Sequence, residues 1–534
     1  MPNIISNTNF NPADLVAPGL YINNVPPTPY IPGASTNVGY VVGTASWGPI
    51  NAPQLTSDPA DALNKFGGIT AAALTDPHDL CTDLTIAFQQ GFISLWGVRV
   101  GDGTQTAASV VASGATASGG TFTALYTGEL GNEVQVTVAA APINGYFNVY
   151  VTAPFASPET YPNIPSTTFW TSLASALSSG VVGVVAASRL VRLNNASNAA
   201  GAPVAQTYTL SGGTDGRTNV TSDDLLGQNQ TTPATGVYMA SSLNPYPQKL
   251  WIAGMTDTTI LPDLISFVSA NAIYTAMSFP MGTSVEQAQA TIQFVVEQSQ
   301  ATVSLDNYEF SWLKDYIYWN DSVNGVVRLV APYPFTMGLI TSLSPAQSPL
   351  NQTVNGVVGT ERNNPYTGDV PYGNAEIGLM NSLGILVVTN PIPQGNVFGI
   401  ATATNTSLNT AQAPVEYATM TNFLDLSFGE SMGSFAGQLQ TARPADPLRA
   451  KVRHALNAFL GGLQQADMID AFSVVCTFAQ SGNPQLGINT PATIAQHYLY
   501  AFCAVRYLSS VWYFVVSLQG GTTVVTVSPA QSAA

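Results

Sequence analysis

The segment from residue 446 onwards constrains the fold of this chain more than any other stretch. Asp446 and Pro447 are residue types favoured at the N-cap and at the first position of a helix, so a helix is predicted to begin there. The apolar residues that follow recur every three or four positions and give the helix one apolar face. They are Leu448, Val452, Leu456, Phe459 and Leu463.

Strand-like runs follow this helix at 471–478 and 498–508, and the next run, 511–518, is apolar, β-branched and aromatic. A Gly pair then leads to a short terminal strand at 522–527. A helix, a small sheet and a detachable terminal strand indicate a structural building block more than a catalyst.

Positive charge is concentrated at the start of the same helix. Arg443, Arg449, Lys451 and Arg453 are four of the 14 Lys and Arg residues in a chain of net charge −16. This cluster is therefore a local feature, and docking onto an acidic partner is one interpretation of it. A solvated helix face is the alternative, because charged helix faces usually are no more than that.

Composition excludes several classes of protein. The 534 residues allow about two to four domains. Only 8% of them are charged, against about 25% in soluble domains, which suits a protein packed against copies of itself. The 30 acidic residues outnumber the basic ones, which argues against a nucleic-acid binder, because phosphate neutralisation needs clustered Lys and Arg.

Cysteine and histidine spacing predicts no metal and no cofactor. Cys81, Cys476 and Cys503 fit neither a disulfide framework nor a zinc site, and are expected to be buried thiols. His78 and His454 have no partner at ligand spacing.

No signal peptide is visible, and the longest apolar runs are shorter than the ~20 residues that span a bilayer. We therefore expect a soluble chain made in a cytoplasm, without membrane insertion.

The first 370 residues consist of segments that differ in composition and in hydrophobic pattern. Residues 1–35 are Pro-rich and predict an extended arm, with a short strand at 20–25. A strand–helix–strand unit follows to residue 100. Alternating strands at 101–215 predict a β-sandwich, whose closing Gly-rich stretch lacks the ending of a phosphate-binding loop. Helix–strand alternation at 217–370 predicts an open α/β sheet.

Short motifs along the chain resemble the signature of a known family. They begin at Pro18, Val42, Gly48, Phe66 and Gly97. Their order and spacing are similar to the N-terminal part of contractile-tail sheath proteins, which polymerise as a helical sleeve around an inner tube in myovirus-type phages and related injection machines.

The resemblance implies a mixed α/β, multi-domain fold with an inserted β-sandwich-like domain and extended N- and C-terminal arms. The implied segments are an N-terminal arm (1–35), a discontinuous, tube-facing core domain (36–100 plus 371–510), an inserted β-rich domain (101–216), a non-catalytic α/β domain of subtilisin-like topology (217–370) and a C-terminal strand or arm (511–534).

The resemblance further implies a structural subunit, not an enzyme, whose sleeve contracts to drive the tube through the host envelope. Its expected partners are copies of itself, the inner tail tube protein, and the baseplate and tail terminator proteins, in a virion tail assembled in the host cytoplasm. The C-terminal domain of such proteins touches the tube, so Arg449, Lys451 and Arg453 are candidate tube contacts. Terminal arms are expected to join copies by strand addition through Leu20, Tyr21, Ile22, Val511, Tyr513, Val515, Val524 and Val525.

An α/β-hydrolase is the alternative from a different class. The run from Gly429 to Gly433 matches the G-x-S-x-G elbow around Ser431, and Asp467 or Asp470 followed by His497 has the chain order of a catalytic triad. The elbow requires a strand before the serine, for which 421–428 is the candidate, and a long helix after it, for which 434–445 is poor. Another self-assembling virion, shell or adhesin protein is the third possibility.

Overall fold

The computed structural model describes residues 5–6, 21–22, 31–91, 93–299, 306–364, 366, 371–390, 397–479, 487–516 and 518. Its helices and sheets confirm the predicted mixed α/β, multi-domain fold class.

The strands are β1 (Ile5–Ser6), β2 (Tyr21–Ile22), β3 (Val38–Gly43), β4 (Gln54–Thr56), β5 (Ser94–Arg99), β6 (Ser109–Ser113), β7 (Ser118–Ala124), β8 (Gln135–Ala140), β9 (Tyr146–Ala153), β10 (Ala156–Pro165), β11 (Val191–Asn194), β12 (Gln206–Thr209), β13 (Lys249–Ile252), β14 (Tyr274–Ser278), β15 (Phe310–Lys314), β16 (Ile317–Asp321), β17 (Val326–Val330), β18 (Val357–Thr360), β19 (Ile385–Thr389), β20 (Gly399–Ile400), β21 (Ile469–Val475) and β22 (Phe502–Tyr507). The α-helices are α1 (Pro59–Phe66), α2 (Leu80–Phe88), α3 (Phe169–Ser179), α4 (Ser222–Leu226), α5 (Leu261–Asn271), α6 (Val285–Ser299), α7 (Tyr333–Ser342), α8 (Asn374–Ser382), α9 (Val415–Met432), α10 (Pro447–Gln465) and α11 (Pro491–Ala495).

An eight-stranded sheet holds the main core, in the order β20-β19-β15-β14-β13-β3-β5-β4. Its six inner strands are parallel, and the edge strands β4 and β20 run antiparallel to their neighbours. Every residue of β3, β13, β14, β15 and β19 is buried. Both faces of the sheet are therefore covered, which is why these strands are continuous apolar runs in the sequence.

The central sheet crosses the predicted domain boundaries. Strand β3 pairs with β13, and β15 pairs with β19, so residues 38–99 share one sheet and one core with residues 249–400. The predicted grouping of 36–100 with 371–510, apart from 217–370, does not follow this sheet. The local sequence pattern did not indicate which strands pair in this sheet, because parallel pairing joins strands that are distant in sequence.

A second unit between β5 and α4 has its own core. Its two antiparallel sheets have the orders β10-β9-β8-β12 and β11-β7-β6. Phe122, Val149 and Trp170 are fully buried in this core, the last of them contributed by α3. The unit spans the segment for which the sequence predicts an inserted β-rich domain.

Buried charges join the second unit to the central sheet. Arg217 Nε lies 3.1 Å from Asp215 Oδ2, and Arg217 Nη1 lies 3.3 Å from Asp76 Oδ2 and 3.6 Å from Asp79 Oδ1. Arg99, the fully buried last residue of β5, donates hydrogen bonds to backbone carbonyls on both sides of this junction. Paired charges therefore help to hold the two connections to the inserted unit, beside the apolar contact of Trp47 with Tyr126 and Phe155.

The C-terminal unit consists of α9, α10, β21 and β22. Helix α10 begins as predicted, with Pro447 in its first turn and Asp446 Oδ1 accepting a hydrogen bond from the Leu448 N–H at 2.8 Å. Strand β21 pairs antiparallel with β22. Ile31 and Ala34 are buried in the core of this unit, so the segment that precedes β3 belongs to it.

Two expectations for the C-terminal unit differ from the structure. Residues 421–428, predicted as a strand, lie within α9. Residues 511–516 are in no strand in the isolated chain. Thr421, Phe423 and Phe428 favour a strand by local propensity, but burial of one side of this run in the core of the unit favours a helix.

We expect Arg217→Met to lower the free energy of unfolding by about 3–5 kcal/mol, because it leaves the buried carboxylates of Asp79 and Asp215 without their cation. Urea unfolding followed by circular dichroism measures this change. The control is Arg506→Met, which removes an exposed ion pair with Asp470 and should cost less than about 1 kcal/mol. Equal effects of the two substitutions would contradict the role assigned to the buried pairs.

Candidate functional site

The usual ligand site of an open α/β sheet is filled in this structure. Ligands bind such sheets at the carboxyl ends of the strands where the strand order reverses, which here is between β3 and β13. The loop before α2 occupies this position: His78 Nδ1 lies 2.6 Å from the Ala253 carbonyl oxygen, and the His78 carbonyl accepts from the Thr44 N–H. A Cβ at Gly254 would lie 2.1 Å from the Pro77 carbonyl oxygen. The chain itself fills this crevice.

Ser431 does not have the geometry of a nucleophile elbow. It lies in the last turn of α9 and not between a strand and a helix. Its Oγ is buried and has no hydrogen-bond partner among the described residues, whereas a catalytic serine requires a base within about 3 Å. Asp470, one candidate triad acid, pairs with Arg506. The predicted hydrolase constellation is not assembled.

The small sheet of β21 and β22 has open edges. Each strand pairs only with the other among the residues that the structure describes. The main-chain groups that point away from the pair are therefore available to a further strand. One side of β22 faces the core through Cys503, Val505 and Tyr507, and its other side is exposed.

A groove of 710 Å³ lies between β22 and α9. Tyr308, Asp425 and Tyr507 are among the residues that line it. A second pocket of 470 Å³ lies between the end of α9, α10 and the segment before β22, and it shares Phe428 and Cys503 with the groove. Together they leave room beside β22, above apolar side chains.

An apolar segment follows β22 and packs on little of its own chain. Val511, Tyr513 and Val515 are 74%, 83% and 84% exposed. Phe514, Val516 and Leu518 are also mostly exposed. Soluble monomers rarely expose contiguous apolar surface of this kind, and where they do it marks a contact surface.

The terminal residues predicted to join copies fall into three groups: those in a strand, those in the exposed apolar segment, and those outside the described residues. Tyr21 and Ile22 form β2, which pairs in parallel with β1. Val511, Tyr513 and Val515 lie in the exposed apolar segment. Leu20, Val524 and Val525 are outside the described residues.

Arg449 differs from its two predicted companions. Its side chain is 2% exposed, and it lies 3.2 Å from Asp446 Oδ2 and over the ring of Phe478. It also donates to the backbone carbonyls of Thr441 and Arg443. Arg449 therefore holds the loop before α10 and is not part of the exposed surface.

The exposed cations of this region are Arg443, Lys451 and Arg453. Among the described residues, none of these three has a carboxylate within ion-pair distance, whereas seven other Lys and Arg residues do. We call Arg443, Lys451 and Arg453 the basic patch. Its charges are free to meet an acidic partner.

Two carboxyl groups lie near one end of the groove. Glu309 is 2% exposed, and burial, with the nearby Asp425 adding to the effect, raises its pKa to about 7. Burial also raises the pKa of Asp425. The sequence around Glu309 gives no signal of this raised pKa, because the burial of Glu309 results from the fold.

The described residues contain no group of three or more His, Cys, Asp and Glu side chains placed to hold a metal ion. Within the same ranges, no helix is long and apolar enough to cross a bilayer.

Comparison with solved structures identifies the fold. The chain is similar to the sheath tail protein of Desulfitobacterium hafniense, with a TM-score of 0.54 and 15% identity over 86% of this chain and 93% of that one. It is similar to the sheath tail protein of Listeria innocua, with a TM-score of 0.55 and 14% identity over 83% and 88% of the two chains.

A third similar structure is the contracted PVC sheath complex of an extracellular contractile injection system, with a TM-score of 0.51 and 10% identity over 95% of this chain and 98% of that one. No protein-family model and no curated sequence matches the chain. The resemblance seen in the sequence is thus confirmed at the level of the fold, over most of the chain.

Glu309→Gln is expected to alter how stability depends on pH. The pKa of Glu309 is about 7 in the folded chain and about 4.3 in an unfolded one. Its contribution is therefore complete below about pH 4 and is lost as pH rises through 7. Relative to the wild type, the variant should gain about 2 kcal/mol between pH 4 and pH 8, measured by urea unfolding at each pH.

The control for this experiment is Gln135→Ala, which changes an exposed side chain that has no ionisable group. Its difference from the wild type should stay constant with pH. Parallel stability curves for the wild type and Glu309→Gln would show that Glu309 does not titrate as described.

Proposed function

We propose that this chain is the structural subunit of a contractile tail sheath, which polymerises as a helical sleeve around an inner tube and contracts to drive the tube through the host envelope. The observation that carries the proposal is the exposed apolar segment after β22 (511–516 and 518) beside a two-stranded sheet with open edges. A fold shared with sheath tail proteins supports it. Each copy thus offers both a strand to donate and an edge to accept one.

Strand addition between copies supplies enough free energy to hold a polymer together. Main-chain hydrogen bonds contribute about 0.5–1.5 kcal/mol each, so a five-residue strand contributes a few kcal/mol per junction. Apolar side chains that enter the groove beside β22 add about 25 cal/mol per Å² of buried surface. Because the bonds are main-chain bonds, the donated strand tolerates many side chains.

The contact also accounts for an open filament. A segment that leaves one copy and enters the groove of the next makes a heterologous contact, since donor and acceptor are different surfaces. Such contacts build a helical filament when their rotation does not close a ring. The exposed segment and the groove are separate surfaces of one chain, as this geometry requires.

The basic patch is the proposed contact with the inner tube. Exposed ion pairs contribute only about 0.2–1 kcal/mol each. Many copies along a tube make the total large while each contact remains easily broken, as a sleeve that slides off its tube requires. Lys451 and Arg453 keep the role that the sequence predicts, and Arg443 takes the place of the buried Arg449.

The remaining parts of the proposal follow from the same function. The chain acts through contacts and not through catalysis, needs no cofactor, and meets the baseplate and tail terminator proteins at the two ends of the sleeve. It belongs to a virion tail that is assembled in the host cytoplasm. Its energy source is the difference between an extended and a contracted packing of one polymer.

Replacing Tyr513 and Val515 together by Ser should give a folded chain that does not polymerise, because the donated segment loses its apolar contacts. Sedimentation and negative-stain microscopy measure this, the wild type forming hollow, striated sleeves. Leu439→Ser, which changes an equally exposed apolar residue outside the segment, is the matched control. Normal sleeves from the double variant would refute strand donation by this segment, and deletion of 1–25 or of 519–534 separately tests whether the two ends of the chain take part.

The double substitution Lys451→Glu and Arg453→Glu should leave sleeve formation intact but prevent assembly on tubes, because it reverses the charge of the basic patch. Co-sedimentation with purified tubes at low and high salt gives the measurement, since screening weakens exposed charge contacts. Arg189→Glu reverses an exposed charge elsewhere and serves as control. Wild-type tube binding by the double variant would show that the basic patch is not the contact with the tube.

A further inference from the structure

Both terminal segments are anchored on α9. On the C-terminal side, Ser510 Oγ donates to Glu416 Oε1 at 2.5 Å, and Trp512 Nε1 donates to Ser510 Oγ at 2.8 Å. On the N-terminal side, the Ala34 N–H donates to Ser427 Oγ at 2.9 Å. Ser510, which directly precedes the apolar segment, and the segment before β3 are thus tied to one helix.

The C-terminal anchor is built on a buried carboxyl group. Glu416 is 3% exposed, and its Oε2 has no hydrogen-bond partner among the described residues. A buried carboxyl group with few hydrogen-bond partners depends on each of them, because losing one leaves a buried polar group without its hydrogen bond. Trp512 is accordingly half-buried, whereas Val511 and Tyr513 on either side of it are exposed.

Further contacts fasten the chain between β22 and this anchor. Tyr507, the last residue of β22, has its hydroxyl 2.9 Å from Thr421 Oγ1, and its ring lies 5.5 Å from that of Tyr417. Both partners are on α9. The direction in which the apolar segment leaves the subunit is therefore set by α9 at two successive points.

The two anchors lie on the same face of the helix. Glu416 and Ser427 are separated by about three helical turns, which brings them into line about 16 Å apart. A force applied to the apolar segment reaches the segment before β3 through a single helix, without passing through a loop.

We propose that α9 is the element that couples the two terminal segments, with Glu416 and Ser427 as positioning residues that set the direction of each. The inference rests on the proposed function: in a polymer joined through terminal segments, this helix transmits movement from one junction to the next. The partner at each junction is a second copy of this chain.

The test replaces the anchor residues Ser510 and Glu416, which lie outside the donated segment, and uses Trp512→Phe only to assign a resonance. In full-length chain labelled with 5-fluorotryptophan, Trp512→Phe identifies the Trp512 resonance among the seven. Ser510→Ala and Glu416→Ala should shift that resonance towards the value of free indole and abolish regular striation of the sleeves. Ser509→Ala, one position away and exposed, should change neither, and Glu416→Gln should restore much of both because its carbonyl oxygen still accepts from Ser510.

Each outcome decides one point. An unchanged Trp512 resonance in Ser510→Ala would show that the anchor does not exist. A shifted resonance with regular sleeves would show that the anchor does not guide assembly. If wild-type chain forms no sleeves, the proposed function fails, while the fluorine spectrum still decides the anchor.

Discussion

Unsatisfied main-chain hydrogen bonding at the edges of β21 and β22 is the constraint on which the rest of this structure depends. A two-stranded sheet is marginally stable alone, and here α10 covers one part of it while the outer edges stay open. The chain places a run of exposed apolar residues shortly after β22. An open edge and an unpaired apolar segment on the same molecule are complementary surfaces.

Around this small sheet the molecule is built to be stiff. The central parallel sheet is buried on both faces, and the crevice in which such sheets bind ligands is filled by the loop that carries His78. Arg99 and Arg217 hold the inserted unit to the sheet through buried polar contacts that require defined geometry. In the sleeve that we propose, a rigid body of this kind would transmit displacement between neighbouring copies, whereas a soft one would absorb it.

Individual residues show where sequence reasoning succeeded and where it stopped. The start of α10 was predictable, because Asp446 and Pro447 act on the first turn of their own helix and need no distant partner. Arg449 is spaced like an exposed cation, yet it is buried because the loop before α10 and Phe478 close over it. Ser431 matches a five-residue motif, but residues 421–428 form a helix instead of the strand that the motif requires.

The groove and the anchor were not visible in the sequence. Tyr308, Glu416 and Ser510 are distant from one another along the chain, and each is unremarkable in its own local pattern. They become informative only when α9 packs beneath the sheet and brings buried carboxyl groups close to the root of the apolar segment. Desolvation, which raises the pKa of Glu309, is a property of the folded surroundings and has no local signature.

The sequence by itself determined the class of the molecule: alternating helices and strands, a β-rich insertion, a charge-poor surface, a basic helix and an apolar terminal run. These follow from periodicity and composition, which act over a few residues. Only the tertiary structure decided which strands share a sheet, which of the cations reach solvent, and that α9 holds both terminal segments. Pairing, burial and charge compensation join residues hundreds of positions apart, so their outcome depends on packing of the whole chain.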